Sequence, residues 1–252
     1  GNPFDGKLDE IREYNRTLAV GEIQSLYDQG GGTKVNSAVS NSQGTGRLDS
    51  GLAGYWALDN GSGTSATDSS TNGNTGTLTN GPTWGTGQIV GAVTFDGIND
   101  EITTTNNQGT GAQIKVFTLS SWFKTSTASG AKIIGLEDSQ TGTGTTTWDR
   151  QIWMGTDGKI RFGVYNGYIE AVSTAALNDN TWHHAVGVST GDNGTIALYV
   201  DGVLQQTTNI GGSIFAGYSA SYWRIGGYKN SPGWTNGADG YFTGSLDEVR
   251  VY

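Results

Sequence analysis

Phe117, Leu119, Ser121 and Phe123 alternate with Thr118, Ser120, Trp122 and Lys124, and this two-residue period constrains the fold more than any other feature of the chain. Successive side chains of an extended strand point to opposite faces, whereas a helix repeats every ~3.6 residues. Shorter runs rich in β-branched and aromatic residues follow at 55–58, 92–95, 101–104, 132–136, 159–165, 182–188, 196–200, 223–225 and 244–252. Clusters of Gly, Asn, Asp and Ser separate them, as turns separate strands. Asp201-Gly202 stands between IALYV and VLQQT, and Asp157-Gly158 between QIWMG and KIRFGVY. Both pairs suit hairpin turns that need positive φ. No run inside 51–252 has helical periodicity. So many short strands predict an all-β, two-sheet antiparallel sandwich of the jelly-roll kind rather than a small barrel.

The chain has 252 residues, enough for one large all-β domain or two small ones, and enough to bury a core without covalent staples. It has no Cys, which excludes disulfides, Cys-based catalysis and Cys-ligated zinc. A net charge of −9 repels nucleic acid and anionic membranes and attracts hard cations such as calcium. No stretch approaches the roughly 20 apolar residues of a membrane span. The only Met is Met154, and no signal peptide is evident. The chain reads as a piece of a longer secreted protein, with a trimmed complete protein as the alternative.

An internal repeat sets the organisation. Residues 4–14 read FDGKLDEIREY and residues 242–252 read FTGSLDEVRVY, so Phe, Gly, Leu, Asp, Glu, Arg and Tyr recur in register. The first copy continues into NRTLAVGEIQSLYDQG, where Leu18, Ile23, Leu26 and Tyr27 mark an apolar helical face and Gly30 a stop. Residues 1–30 therefore read as the final strand and short closing helix of a preceding repeat. Residues 31–50 lack hydrophobic periodicity and read as a flexible linker. Residues 51–252 read as one jelly-roll domain. A tail of this kind could dock on a neighbouring copy and complete its sheet edge, as in strand donation.

The motifs GYWALDNGSGTSATDSS, AVTFDGINDEI, FTLSSWFK, TWHHAVGV, ALYVDGVLQ and FTGSLDEVRVY occur in that order. The series resembles the laminin-G-like jelly-roll family of the concanavalin A-like lectin/glucanase superfamily. The resemblance covers essentially all of 51–252, and 4–29 resembles the tail of a second copy. It implies two antiparallel sheets, termini meeting in adjacent strands, a binding or adhesion role often toward glycans, and often a calcium ion.

Glycoside hydrolases on this fold set two Glu around an Asp on one strand, in E-x-D-x-x-E or E-x-D-x-E spacing, so that the carboxylates share a face. That pattern does not occur here. Glu137 and Asp138 are adjacent and read as loop residues. His183 and His184 are also adjacent, so on a strand they point apart and cannot chelate one metal in regular geometry. The chain is expected not to be an enzyme.

The resemblance implies structural calcium held by Asp247 on the last strand, with Asp59 and Asp96 among the residues supplying further oxygens and Asp68 as another possibility. The competing reading is that such Asp residues cap turns through their own backbone. For ligand binding, sugar sites pair exposed rings with amides and carboxylates. Trp148, Asp149 and Arg150 lie beside a Gly/Thr loop; Trp234, Asn236 and Asp239 share a loop; Tyr165, Asn166 and Tyr168 form a turn. For Trp148 and Trp234 the alternative is that each ring pins a loop to the sandwich. Trp56, Trp122, Trp182 and Phe95 sit in regular strand motifs and read as core. The expected function is an extracellular, secreted or cell-surface binding module, whose partners are glycans, surface proteins or neighbouring copies of itself. The alternative is a structural repeat of a fibre or surface array.

Overall fold

The computed structural model describes Thr17, Val20 and Ile23 and residues 51–105, 114–215, 220–230 and 233–252. The expected strand and helix of 1–30, apart from those three residues, and the expected linker 31–50 lie outside the described residues.

The described strands are numbered in chain order. One sheet runs β14 (Val203–Asn209), β13 (Thr195–Val200), β12 (His183–Thr190), β7 (Val116–Lys124), β18 (Thr243–Val251), β5 (Gly91–Asp96) and β4 (Thr83–Thr86), and β1 (Gly54–Trp56) also pairs with β18. The second sheet runs β11 (Ile169–Val172), β10 (Ile160–Val164), β9 (Trp148–Met154), β8 (Lys132–Glu137), β15 (Tyr222–Ile225), β6 (Glu101–Thr104), β3 (Gly76–Thr79) and β2 (Ser65–Ala66). All pairs are antiparallel, as the alternating pattern predicts. A short pair, β16 (Gly227–Tyr228) with β17 (Gly240–Tyr241), contacts β8 of the second sheet. The first strand lies beside the last, Gly54 opposite Val251 and Trp56 opposite Val249.

The core fills the space between the sheets. Phe117, Leu119 and Phe123 project into it from β7, and meet Ile152 of β9, Phe162 of β10 and Trp223 of β15 in one cluster. Phe117 stacks edge-on against Phe162 at 5.8 Å. Removing these rings from water is the main force that joins the sheets.

The Asp201-Gly202 turn has the positive φ values that the pair was expected to supply, 50° and 75°. The Asp157-Gly158 turn is longer: the N–H of Gly155 donates to the carbonyl of Lys159 at 2.8 Å, and that of Gly158 to Gly155 at 2.9 Å. Strands β2, β3, β4, β11, β16 and β17 were not expected from the sequence. Most are short and rich in Gly and Thr, so they carry no alternating apolar signal.

Along one side the sandwich is sealed by side chains. Gln206 Oε1 of β14 accepts the N–H of Val172 at 2.9 Å, and Gln205 Oε1 accepts that of Thr174 at 3.1 Å. Thr208 Oγ1 donates to the carbonyl of Glu170 at 2.8 Å. The edge of one sheet is thereby satisfied by the edge strand of the other.

His183 and His184 point to opposite faces, pairing with Phe123 and Trp122 of β7. His184 stacks on Trp122 at 5.1 Å. His183 Nδ1 lies 2.7 Å from Asp201 Oδ2, and Nε2 lies 3.2 Å from Asp179 Oδ1. Burial opposes the imidazolium charge, but the Asp201 hydrogen bond and the charges of Asp201 and Asp179 outweigh it and raise the pKa above the ordinary 6.5. A raised folded pKa gives stability that is full below pH ~6.5 and is lost as pH rises through the higher folded value. The melting temperature of the protein should therefore fall through this window. Asp201→Asn should flatten the fall; an unchanged slope in that variant would refute the assignment.

Candidate functional site

The second sheet turns an unusually charged face away from the core. Alternation along β8, β15 and β6 sends Leu136, Trp223, Ile225 and Ile102 inward and Glu137, Arg224 and Glu101 outward. These outward charges are nevertheless buried. Glu137 is the centre of the group. Its Oε1 accepts from Lys132 Nζ at 2.5 Å and from the N–H groups of Tyr228 (3.2 Å) and Lys229 (2.9 Å). Its Oε2 accepts from Arg224 Nη1 at 2.8 Å and Thr145 Oγ1 at 2.5 Å. Arg224 also pairs with Glu101 and donates to the carbonyl of Gly142 at 2.8 Å.

Burial alone would push Glu137 up, but Lys132, Arg224 and the hydrogen bonds outweigh it and hold its pKa below the ordinary value. Burial wins at Glu101, whose pKa is raised despite the Arg224 charge. The arrangement is a lock in which Lys132, Glu137, Arg224 and Glu101 are tied to one another. Glu137 is thus not the loop residue expected from the sequence. It ends β8, and it ties two cover segments, 142–145 and 228–229, to the sheet.

Between those covers an aromatic row reaches solvent. Tyr222 lies opposite Glu137, and Glu137 opposite Trp148, so the three share one row across β15, β8 and β9. Tyr222 and Trp148 are half-buried. Neighbouring strands are ~4.8 Å apart, which sets the two rings about 10 Å from each other. Lys229 Nζ sits 5.3 Å from the Trp148 ring centroid and 2.5 Å from Asp239 Oδ2. Tyr228 and Tyr241, both half-buried, stack at 5.5 Å nearby. The indole N–H of Trp148 is shielded and meets no acceptor among the described residues. Tyr222 was not singled out in the sequence; only the cross-strand register brings it into the row of Trp148.

The other expected ligand residues fall elsewhere. Asp149 and Arg150 are fully buried and pair with each other. Arg150 donates to the carbonyls of Ile114 and, at 2.8 Å, Phe215, and Asp149 Oδ1 accepts the N–H of Tyr165 at 2.5 Å. They brace three chain segments and do not join Trp148 in a surface site, because Arg150 adopts φ +48° and breaks the strand alternation. Trp234 is only 4% exposed. It packs against Trp153 and Tyr168, both at 5.2 Å, and Tyr168 continues to Tyr165 at 4.9 Å. Gly163 leaves room for it, since a Cβ there would stand 2.4 Å from the Trp234 ring. Trp234 therefore anchors its loop. Tyr165 is half-buried beneath this ladder, and Asn236 is exposed, with its carbonyl accepting the N–H of Thr156 at 2.9 Å.

Two of the three expected calcium residues meet at the 87–91 turn. Asp247 is fully buried on β18, and its Oδ2 accepts the N–H of Ile89 at 3.1 Å. Asp59 Oδ1 accepts the N–H of Gly91 at 2.5 Å. A Cβ on Gly87 would stand 1.9 Å from the Gly91 carbonyl oxygen and 2.5 Å from Asp247 Oδ2. One on Gly91 would stand 2.8 Å from the Leu58 carbonyl oxygen and 3.0 Å from Asp59 Oδ1. Carboxylate and carbonyl oxygens thus crowd both ends of this turn, and oxygens are the donors a hard cation takes. Asp96 does not belong to it. It pairs with Thr243, four residues or ~13 Å along β18 from Asp247, and its Oδ1 caps a turn through the N–H of Ile98 at 2.7 Å. Asp68 is likewise a turn brace, accepting from the N–H groups of Tyr55 (2.9 Å) and Asn74 (2.6 Å). Among the described residues no three His, Asp or Glu side chains gather around a metal-sized centre.

Residues 95–252 match a laminin-G family described as the concanavalin A-like lectin/glucanases superfamily. No curated protein matches the chain in sequence. Among solved structures, the chain is similar to domain 4 of AbnA, an extracellular GH43 arabinanase from Geobacillus stearothermophilus, in complex with arabinotriose. That match has a TM-score of 0.54 at 19% identity, and covers 80% of this chain and 91% of that one. It is also similar to the binding domain of Paraclostridial Mosquitocidal Protein 1 (TM-score 0.55, 13% identity, 80% of this chain and 48% of that). The botulinum neurotoxin serotype D binding domain gives 0.53 at 14% identity, over 80% and 47%. The match spans about half of each toxin domain. At these identities the likeness is one of fold.

Proposed function

Because the chain belongs to the concanavalin A-like lectin/glucanase superfamily, we propose that it is a non-catalytic extracellular module that binds glycans through the Trp148–Tyr222 row. The observation that supports this best is the pair of half-buried rings in one cross-strand row, flanked by the Lys229–Asp239 ion pair. Rings stack on the apolar faces of sugars while charged and amide groups take the hydroxyls. The arabinotriose complex of AbnA domain 4 lends support, since that domain shares this fold. Glu101 and Glu137 are both tied to Arg224 and Asp239 to Lys229, which favours binding over acid or nucleophile chemistry on this face.

Trp148→Ala should weaken binding at least tenfold on a glycan array or in affinity electrophoresis, about the loss of one stacked ring. Trp148→Phe should retain part of it. Equal binding by wild type and Trp148→Ala would refute the site.

Calcium fits the same reading as a structural ion. Asp247 and Asp59 would hold it, with the carbonyls of Leu58 and Gly91, and it would tie the last strand to the segment after β1. Adding calcium to chelator-treated protein at about 100 times its Kd should stabilise the fold by ~2.7 kcal/mol. Asp247→Asn should abolish the gain. A melting temperature indifferent to chelator and calcium would refute the ion.

A further inference from the structure

The shielded outer face of the second sheet holds a set of groups that ligand binding does not use. Lys132, Glu137, Gln151 and Asn230 are all fully buried. A Cβ on Gly135 would stand 2.7 Å from Gln151 Cβ, 2.8 Å from Lys132 Cδ and 3.0 Å from Lys132 Cε. The Lys132 and Gln151 side chains therefore run side by side over a bare glycine, across the β8–β9 pair.

Lys132 Nζ meets Glu137 Oε1 at 2.5 Å, and among the described residues that is its one acceptor. An ammonium carries three donors, so two would go unmet in a site closed to water. The neutral amine, which is a nucleophile, is favoured. Burial works in that direction: it lowers the Lys132 pKa, together with the Arg224 charge, against the pull of Glu137 and Asp239. The Gln151 amide is held in place. Its Nε2 donates to Asn230 Oδ1 at 2.5 Å, and Asn230 Nδ2 donates to the carbonyl of Gly130 at 2.6 Å. Gln151 Oε1 is shielded and meets no donor among the described residues. An amide fixed beside an amine, with a carboxylate on that amine to carry protons, is an arrangement suited to acyl transfer.

We propose that Lys132 and Gln151 join in the folded protein through an amide bond between Nζ and Cδ, with Glu137 as the proton carrier. One Nζ proton passes to Glu137. Nζ then bonds to Cδ, the Cδ–Nε2 bond breaks, and Nε2 leaves with a second Nζ proton as ammonia. The ammonia takes the first proton from Glu137 and departs as ammonium, so no oxidant or second reactant is consumed. The product is a covalent tie between β8 and β9, in a chain that has no Cys to make one.

Intact mass spectrometry of the purified full chain should show a mass one ammonia below that of the sequence. Ring closure at an Asn-Gly pair also expels ammonia, so the joined peptide decides. After unfolding, trypsin cannot cut behind an acylated lysine, and should release residues 125–150 joined to 151–159 in place of free 125–132. Glu137→Gln, folded by circular dichroism, should restore the full mass and the free 125–132 peptide. If that variant does not fold, Lys132→Arg should restore the full mass. Free 125–132 from the wild-type chain, a bond from Lys132 to any residue other than Gln151, or an undiminished bond in folded Glu137→Gln would overturn the proposal.

Discussion

Arg224→Ala should cost about 3–5 kcal/mol of stability, because it leaves two carboxylates in a buried site with their shared cation gone. Glu101 and Glu137 both pair with this guanidinium, and neither is more than 2% exposed at its side chain. Lys132 would remain beside Glu137, but among the described residues Glu101 pairs with no second cation. The same change frees the Gly142 carbonyl and one partner of the Glu137–Thr145 contact, so the 142–145 cover should open. The expected results are a lower urea midpoint and earlier proteolysis between 138 and 147. A loss under about 1 kcal/mol would mean that the network is solvated and that the lock does not exist. Glu137→Gln should be milder than Arg224→Ala, since it keeps the shape and removes one charge rather than stranding two.

Trp234→Ala should also be severe, at about 3 kcal/mol or more, the usual scale for truncating a buried Trp. Its ring fills the space between Trp153 and Tyr168 above Gly163 and holds down the loop between β16 and β17. The contrast with Trp148→Ala is the point of the experiment. Trp234→Ala should lower the melting temperature first and affect ligand binding only through the loosened loop. Trp148→Ala should do the reverse. If Trp234→Ala abolished binding at unchanged stability, the ring would belong to the ligand site.

The scaffold was legible in the sequence where alternation was strong and obscure where it was not. Strand β7 announces itself through Phe117, Leu119 and Phe123 on one face, and β6 falls where 101–104 was expected. Strand β9 reads WDRQIWM, and Asp149 and Arg150 looked like surface recognition groups because they stand with Trp148 beside a Gly/Thr loop. Their burial depends on partners from residues 114, 165 and 215, and no local pattern reports those. The lock at Glu137 was missed for the same cause: adjacent acidic residues read as a loop, and the neutralising Arg224 lies 87 positions away. Asp59 and Asp247 both bond to the 87–91 turn, whereas Asp96 lies opposite Thr243, farther along β18, because a motif fixes a residue's strand but not which end of the strand faces a given turn.

The side-chain seal between β14 and β11 has a consequence for life in a crowded array. A bare sheet margin is a template on which another chain can add strands without limit. Here Gln205, Gln206 and Thr208 occupy backbone groups that such growth would need. A strand arriving at that margin therefore finds Glu170, Val172 and Thr174 already engaged and cannot extend the sheet through them.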